Sequence, residues 1–246
     1  MVTSALDMLK FSTKLAIENA GCDFDYIVMC WNPTSEVLEW IDANGFEHYI
    51  YSSDKRMSFV ENHRSMINIG FNKCFEKNDY ACAIGTDMAC YRNYLLNLVK
   101  YAEEDRIINC AQIESGIFRS LHPTRNFGIP TEKDFDLKGF YEYCERIYQD
   151  KLLTEKECGR RIDSTPHLMH RSVWENFGPW DVKIVADVAF FDKVKRGGIK
   201  NFMSQGSLVY HHGRVETTRI ENKNPLLRLK RDSRKILSNI KNRFLL

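Results

Sequence analysis

Short apolar runs and helix-patterned segments alternate through the first half of this 246-residue chain, and that alternation narrows the fold more than any other feature. Leu6, Leu9, Leu15, Ala16 and Ile17 stand at helical spacing within residues 4–20, and Gly21 supplies a stop. Residues 24–31 (FDYIVMCW) read as a buried strand, Asn32-Pro33-Thr34 as a turn, and Thr34 or Ser35 as the cap of a helix that Asn44-Gly45 ends. A short strand over 48–51 and a polar loop over 52–56 lead to a helix over about 59–75, with Met66, Ile67, Gly70, Phe71 and Phe75 at helical intervals. Tyr80, Cys82 and Ile84 then alternate toward Gly85, Thr86 and a lone Asp87, after which Leu95, Leu98, Val99 and Ala102 return to helical spacing. Helices between strands predict a parallel sheet with right-handed crossovers. The expected class is α/β: one Rossmann-like three-layer domain with a mostly parallel central sheet.

Beyond a strand predicted at 107–113 the pattern blurs. Residues 114–165 carry turn chemistry around Pro123 and Pro130 and then an aromatic-rich helical segment over 137–152, which reads as an insertion over the sheet edge of the kind that often forms a lid. From Pro166 it sharpens: a short strand and helical turn over 167–173, the motif NFGPWD, a helix over about 186–196 closed by Gly197-Gly198, and a strand over 202–210 that ends in His211-His212-Gly213.

The net charge of +2 hides an asymmetry. Residues 224–246 hold seven basic side chains against the single Asp232, a net +6, so residues 1–223 carry −4. We divide the chain accordingly into a domain over 1–223 and a basic tail over 224–246. Leu229, Ile236, Leu237, Ile240 and Phe244 would share one helical face of that tail. Such a helix suits an anionic membrane surface, nucleic acid, or packing on its own domain or a partner subunit. Eight cysteines without a CxxC pair or a ligand-like cluster with histidine point to a reducing compartment, and no apolar run reaches 18 residues. The expected location is cytoplasmic, peripheral to a membrane if the tail engages one.

Four segments in order resemble the family 2 glycosyltransferases of the GT-A fold, across roughly residues 4–218. NIGFNKC, with Asn68 and Gly70, resembles the helix before the family's metal strand. AIGTDMACYRNYLLNLV resembles the strand, metal acid and helix that follow it. HLMHRSVWENFGPWD resembles the acceptor-side segment leading to a Gly-aromatic-Asp turn, and VADVAFFDKVKRGGIKNFMSQGSLVYHHG resembles the segment with the catalytic acid and terminal histidine. The resemblance implies an inverting sugar transfer from a nucleotide-sugar donor to a hydroxyl acceptor, dependent on a divalent cation (Mn2+ or Mg2+). The acceptor would be a glycan, a lipid-linked sugar or a modified nucleic-acid base.

By the same resemblance, Asp87 matches the surviving acid of an Asp-x-Asp motif and Gly85 stands where the first acid would be. His211 matches a histidine of the metal shell, with His212 as the alternative. Asp187, after Ala186, matches the general base. Trp31, Asn32, Asp54, Arg64, Asn68 and Thr86 fall on the donor side, and Trp180, Asp181 and His212 on the acceptor side. Simpler roles compete at each position: Asp87 and Asp187 as helix caps, Trp180 as a core residue, Asp54 and Arg64 as surface charge. The chain opens on a helix where the family has a strand, and Cys30, Trp31 and Asn32 replace its base-reading acid. A non-catalytic GT-A-like binding module is the second expectation. A nucleotidyltransferase is the third, and the Gly-rich phosphate loop it would need near the N-terminus is lacking.

Overall fold

In the computed structural model, which describes residues 5–115, 121–162, 166–182 and 186–213, the early elements form where their patterns predict them. They are α1 (Ala5–Glu18), β1 (Ile27–Trp31), α2 (Ser35–Ala43), β2 (Glu47–Tyr51), α3 (Phe59–Phe75) and β3 (Tyr80–Cys82). Thr34 is the cap of α2, accepting from the Val37 N–H, and Ser58 with Glu61 forms a capping box that starts α3. After Asp87 the predicted helix is preceded by a strand, β4 (Met88–Cys90), and shrinks to the single turn α4 (Leu96–Val99). There follow β5 (Arg106–Glu114), α5 (Leu137–Ile147), β6 (Leu152–Thr154), α6 (Glu155–Cys158), β7 (His167–His170), α7 (Arg171–Phe177), α8 (Ala186–Arg196) and β8 (Lys200–His211). The basic tail lies outside the described residues, and no helix among those described is long and apolar enough to cross a membrane.

The α/β class is as expected, but the sheet is mixed rather than mostly parallel. β1 and β2 pair in parallel as a separate two-stranded sheet. The main sheet runs β3-β7-β5-β8-β4, with β6 also on β8, and among the described residues only its β5–β8 pair is parallel. β7 lies antiparallel between β3 and β5, while β4 and β6 both run antiparallel to β8. Hydrophobic period reveals that a segment is a strand; it carries no information about its neighbour, and neighbours set direction.

Three apolar layers position these strands. Phe71, Trp174, Phe190 and Val194 bury against Ile107 and Met169. Ala16, Tyr94, Leu95 and Leu98 bury against Met88, Ile108, Cys110 and Val209. Within the 114–165 insertion, expected over the sheet edge, residues 121–147 contribute core: Phe127, Phe135, Phe140 and Tyr143 pack on Ala111, Ile113, Leu208 and Tyr210. The Phe140 ring, 0% exposed, meets Phe127 and Phe135 at 5.6 and 5.5 Å between centroids. Aromatic side chains of this size bury too much apolar surface to be left as a loose cover. Phe140→Ala is therefore expected to destabilise the protein by about 3–5 kcal/mol in urea unfolding, the range for an aromatic ring deleted from a packed core.

Candidate active site

Asp87 closes the turn between β3 and β4, and the turn is held from two sides. Ser12 Oγ of α1 donates to the Thr86 carbonyl at 2.5 Å, and the His212 N–H at the end of β8 donates to the Asp87 carbonyl at 2.9 Å. Asp87 Oδ2 then lies 3.3 Å from His211 Nε2. Across the imidazole, both carboxylate oxygens of Glu114 stand 3.0 Å from His211 Nδ1. The Glu114 side chain is 2% exposed against 29% for Asp87, so the group opens to solvent on the Asp87 side. A β-carbon at position 85 would come within 2.6 Å of Asp87 Oδ1. Gly85 thus leaves the room that the Asp87 carboxylate occupies.

Glu114 is absent from the sequence-predicted set, because the strand there was expected to end at Ile113. Its signal is a lone acid closing the apolar run IINCAQIE, an ionisable group at the end of a buried strand. His63 of α3 is a second addition: its ring lies 6.3 Å from that of Trp31. Burial pushes the His63 imidazole below its ordinary pKa, against an opposing pull from Asp87. For His211 the balance reverses. Burial is the largest effect and disfavours the imidazolium, yet the hydrogen bonds and charges of Asp87 and Glu114 together outweigh it and raise the pKa to about 10.

The donor set suits a divalent cation. Two ligands about 2.1 Å from one octahedral ion, in adjacent positions, stand about 3 Å apart, and Asp87 Oδ2 and His211 Nε2 are 3.3 Å apart. Among the described residues no group of three or more His, Cys, Asp or Glu side chains is arranged to hold a metal ion, so ligands other than protein side chains would complete the shell.

The other sequence-predicted residues separate into two groups. Trp31 and Asn32 lie at the end of β1, where Trp31 Nε1 and Asn32 Nδ2 each donate to Ser53 Oγ at 2.6 Å, close to His63. Thr86 is exposed beside Asp87. Asp54 is occupied by Arg56, which holds its carboxyl down at about 2. Arg64 and Asn68, expected to meet the donor, instead secure the Trp180–Val182 backbone. Arg64 donates to the Val182 carbonyl at 3.0 Å, while the Asn68 amide donates to the Trp180 carbonyl and accepts from its N–H, at 2.9 and 3.0 Å.

Trp180 does not present a face to a sugar. It is 6% exposed and packs against Phe71, His167 and Phe190, because the Asn68 clamp draws it into the core. Asp181, next to it, is exposed. His212 follows the end of β8, and its Nδ1 lies 3.2 Å from the Tyr210 hydroxyl. Asp187 falls in the first turn of α8; its side chain lies outside the described residues. A groove of about 340 Å³ beside Asn201 is near the opposite end of β8, roughly 23 Å from His211, seven register steps along β5. Its Arg161 and Lys195 are paired with Asp192 and Glu155 at 2.8 and 2.5 Å, so it is an ion-pair network remote from Asp87.

With this geometry in view, comparison with known proteins adds the fold. No protein-family model matches the sequence, and no curated protein is detectably similar to it. Among solved structures, that of GalNAc-T7 with UDP, GalNAc and Mn2+ matches 85% of this chain at a TM-score of 0.57 and 13% identity. A mycobacterial protein matches 85% at a TM-score of 0.52 and 11% identity. The chain spans 42% and 65% of those two proteins. The chain has the GT-A fold.

Two outcomes are expected from these contacts. In metal-free protein, His211 lends stability that is complete below its unfolded pKa near 6.5 and lost as pH rises through about 10. Thermal unfolding of the wild type should therefore weaken across pH 6.5–10 more steeply than that of His211→Gln. Asn68→Ala leaves the Trp180 N–H and carbonyl unpaired and should cost about 2–4 kcal/mol in urea unfolding.

Proposed function

We propose that this protein is an inverting glycosyltransferase, resembling family 2, that moves a sugar from a nucleotide-sugar donor to an acceptor hydroxyl. The observation that carries the reading is the meeting of Asp87 and His211 at 3.3 Å, from elements 124 positions apart in the chain, on a GT-A fold. GalNAc-T7, which shares that fold, was solved with UDP, GalNAc and Mn2+, and this supports the donor class and the cation.

Asp87 and His211 would hold Mn2+ or Mg2+, whose charge, when bound, stabilises the departing nucleoside diphosphate. The Trp31 and His63 rings, at the end of β1 and on α3, lie 6.3 Å apart, with His63 near enough to feel the Asp87 charge, and would offer the donor flat surfaces. Asp187, by its resemblance to the family's base, takes the proton of the acceptor hydroxyl as its oxygen bonds to the anomeric carbon. The bond from that carbon to the diphosphate oxygen breaks in the same step. Asn68 and Arg64 act at one remove, keeping the Trp180–Val182 backbone seated on α3.

One observation favours a second reading, a non-catalytic GT-A-like binding module: Asp87, His211 and Glu114 already satisfy one another without an ion. A panel of nucleotide sugars incubated with the full chain and Mn2+, with nucleoside diphosphate release as the readout, separates the two. Turnover that falls at least about 100-fold in Asp87→Ala and in Asp187→Asn is the expected result. No turnover with any donor, together with undiminished nucleoside-diphosphate binding by Asp87→Ala, would leave only the binding module.

A further inference from the structure

We propose that Glu114 is a positioning residue that fixes the tautomer and orientation of His211: it holds the proton on Nδ1, so that in the cation-bound protein the Nε2 lone pair faces the ion beside Asp87. The inference rests on the reading of Asp87 and His211 as cation ligands. It assigns a role to a side chain that would not itself touch the ion.

The geometry is specific to this task. Both Glu114 oxygens are equidistant from Nδ1, at 3.0 Å, while Nε2 is the nitrogen that meets Asp87. A neutral imidazole carries one N–H, and the nitrogen that bears it is set by the hydrogen bond made at the other side of the ring. A carboxylate at Nδ1 selects the tautomer in which Nε2 is unprotonated, and it makes that nitrogen a better electron-pair donor. With the ring turned over, Cδ2 would replace Nδ1 beside Glu114 and Cε1 would replace Nε2 beside Asp87, so the bond also chooses the ring face.

The backbone places both partners without relying on side-chain flexibility. Glu114 and His211 are direct register partners on the parallel strands β5 and β8. The Glu114 carbonyl accepts from the Arg125 N–H at 3.0 Å, and the His211 carbonyl accepts from the Ser115 N–H at 3.2 Å. An ionised carboxylate that is 2% exposed is costly unless paired, and among the described residues the hydrogen bonds of this one go to His211. A purely structural acid would be equally satisfied by any buried donor. This one is spent on the single ring nitrogen that faces away from Asp87.

Mn2+ titration of the full chain, followed by the electron-paramagnetic signal of free Mn2+, tests the role. Glu114→Gln keeps the shape and removes the charge, and it should weaken Mn2+ binding by about 10- to 100-fold, the usual effect of losing a carboxylate behind a ligating histidine. Affinity within about twofold of wild type, while Asp87→Ala and His211→Ala both lose the ion, would overturn the positioning role alone. If the wild type takes no Mn2+, or Asp87→Ala binds it unchanged, the cation reading fails and the role of Glu114 falls with it. A readout that needs no variant guards against misfolding: nitrogen-15 spectra of the wild-type His211 ring with Mg2+ should show the proton on Nδ1. A proton on Nε2 would overturn the proposal.

Discussion

The parallel pairing of β5 with β8 is the interaction on which the rest of the structure depends. Among the described residues it is the one parallel contact in the main sheet, and β4 and β6 are added to the far side of the same β8. The register is not continuous. Arg106 pairs with Lys200 and Cys110 with Ser204, but Ala111 pairs with Leu208, so β8 carries three extra residues at Gln205-Gly206-Ser207. Asn97 and Ser207 tie that bulge down, through Asn97 Nδ2 to the Gly206 carbonyl at 2.7 Å and Ser207 Oγ to the Tyr94 carbonyl at 2.7 Å. Were the first register carried forward, Leu208 would stand beside Glu114. The three-residue shift brings His211 there instead, and because the shift is odd it also exchanges the two faces of the strand.

That single irregularity explains the electrostatics of the site. Two carboxylates and one imidazole converge at the end of the sheet, and each is stable there only because of the others. Without an ion, His211 supplies the positive charge that Asp87 and Glu114 need, which is why its pKa rises to about 10 in spite of its burial. A divalent cation could take over that compensation on the Asp87 side, where the group is open, while Glu114 remains sealed behind the ring.

Much of the local structure was legible in sequence because local signals dictate it. The α3 helix begins at a capping box and carries its apolar residues at helical spacing; α2 begins at Thr34; Asp87 stands in a tight Gly-containing turn. Misread features were those decided by distant neighbours. β4 is too short to show a period, and only its pairing with β8 makes it a strand. Residues 121–136 lack a regular pattern, yet Phe127 and Phe135 complete the core over Tyr210. Trp180 has the composition of a sugar platform, but Asn68, 112 residues earlier, pulls it inside.

From sequence alone follow the α/β class, the positions of most helices and strands, and Asp87 and the His211-His212 pair as candidate chemistry. Hydrophobic period, caps and turns are short-range, and a chain read residue by residue contains them. Tertiary structure alone decided the mixed direction of the strands and the entry of Glu114 into the site. Each of these depends on which strand lies beside β8 and in what register. Register is a contact between residues some ninety-seven positions apart, set by a bulge whose effect no local pattern expresses.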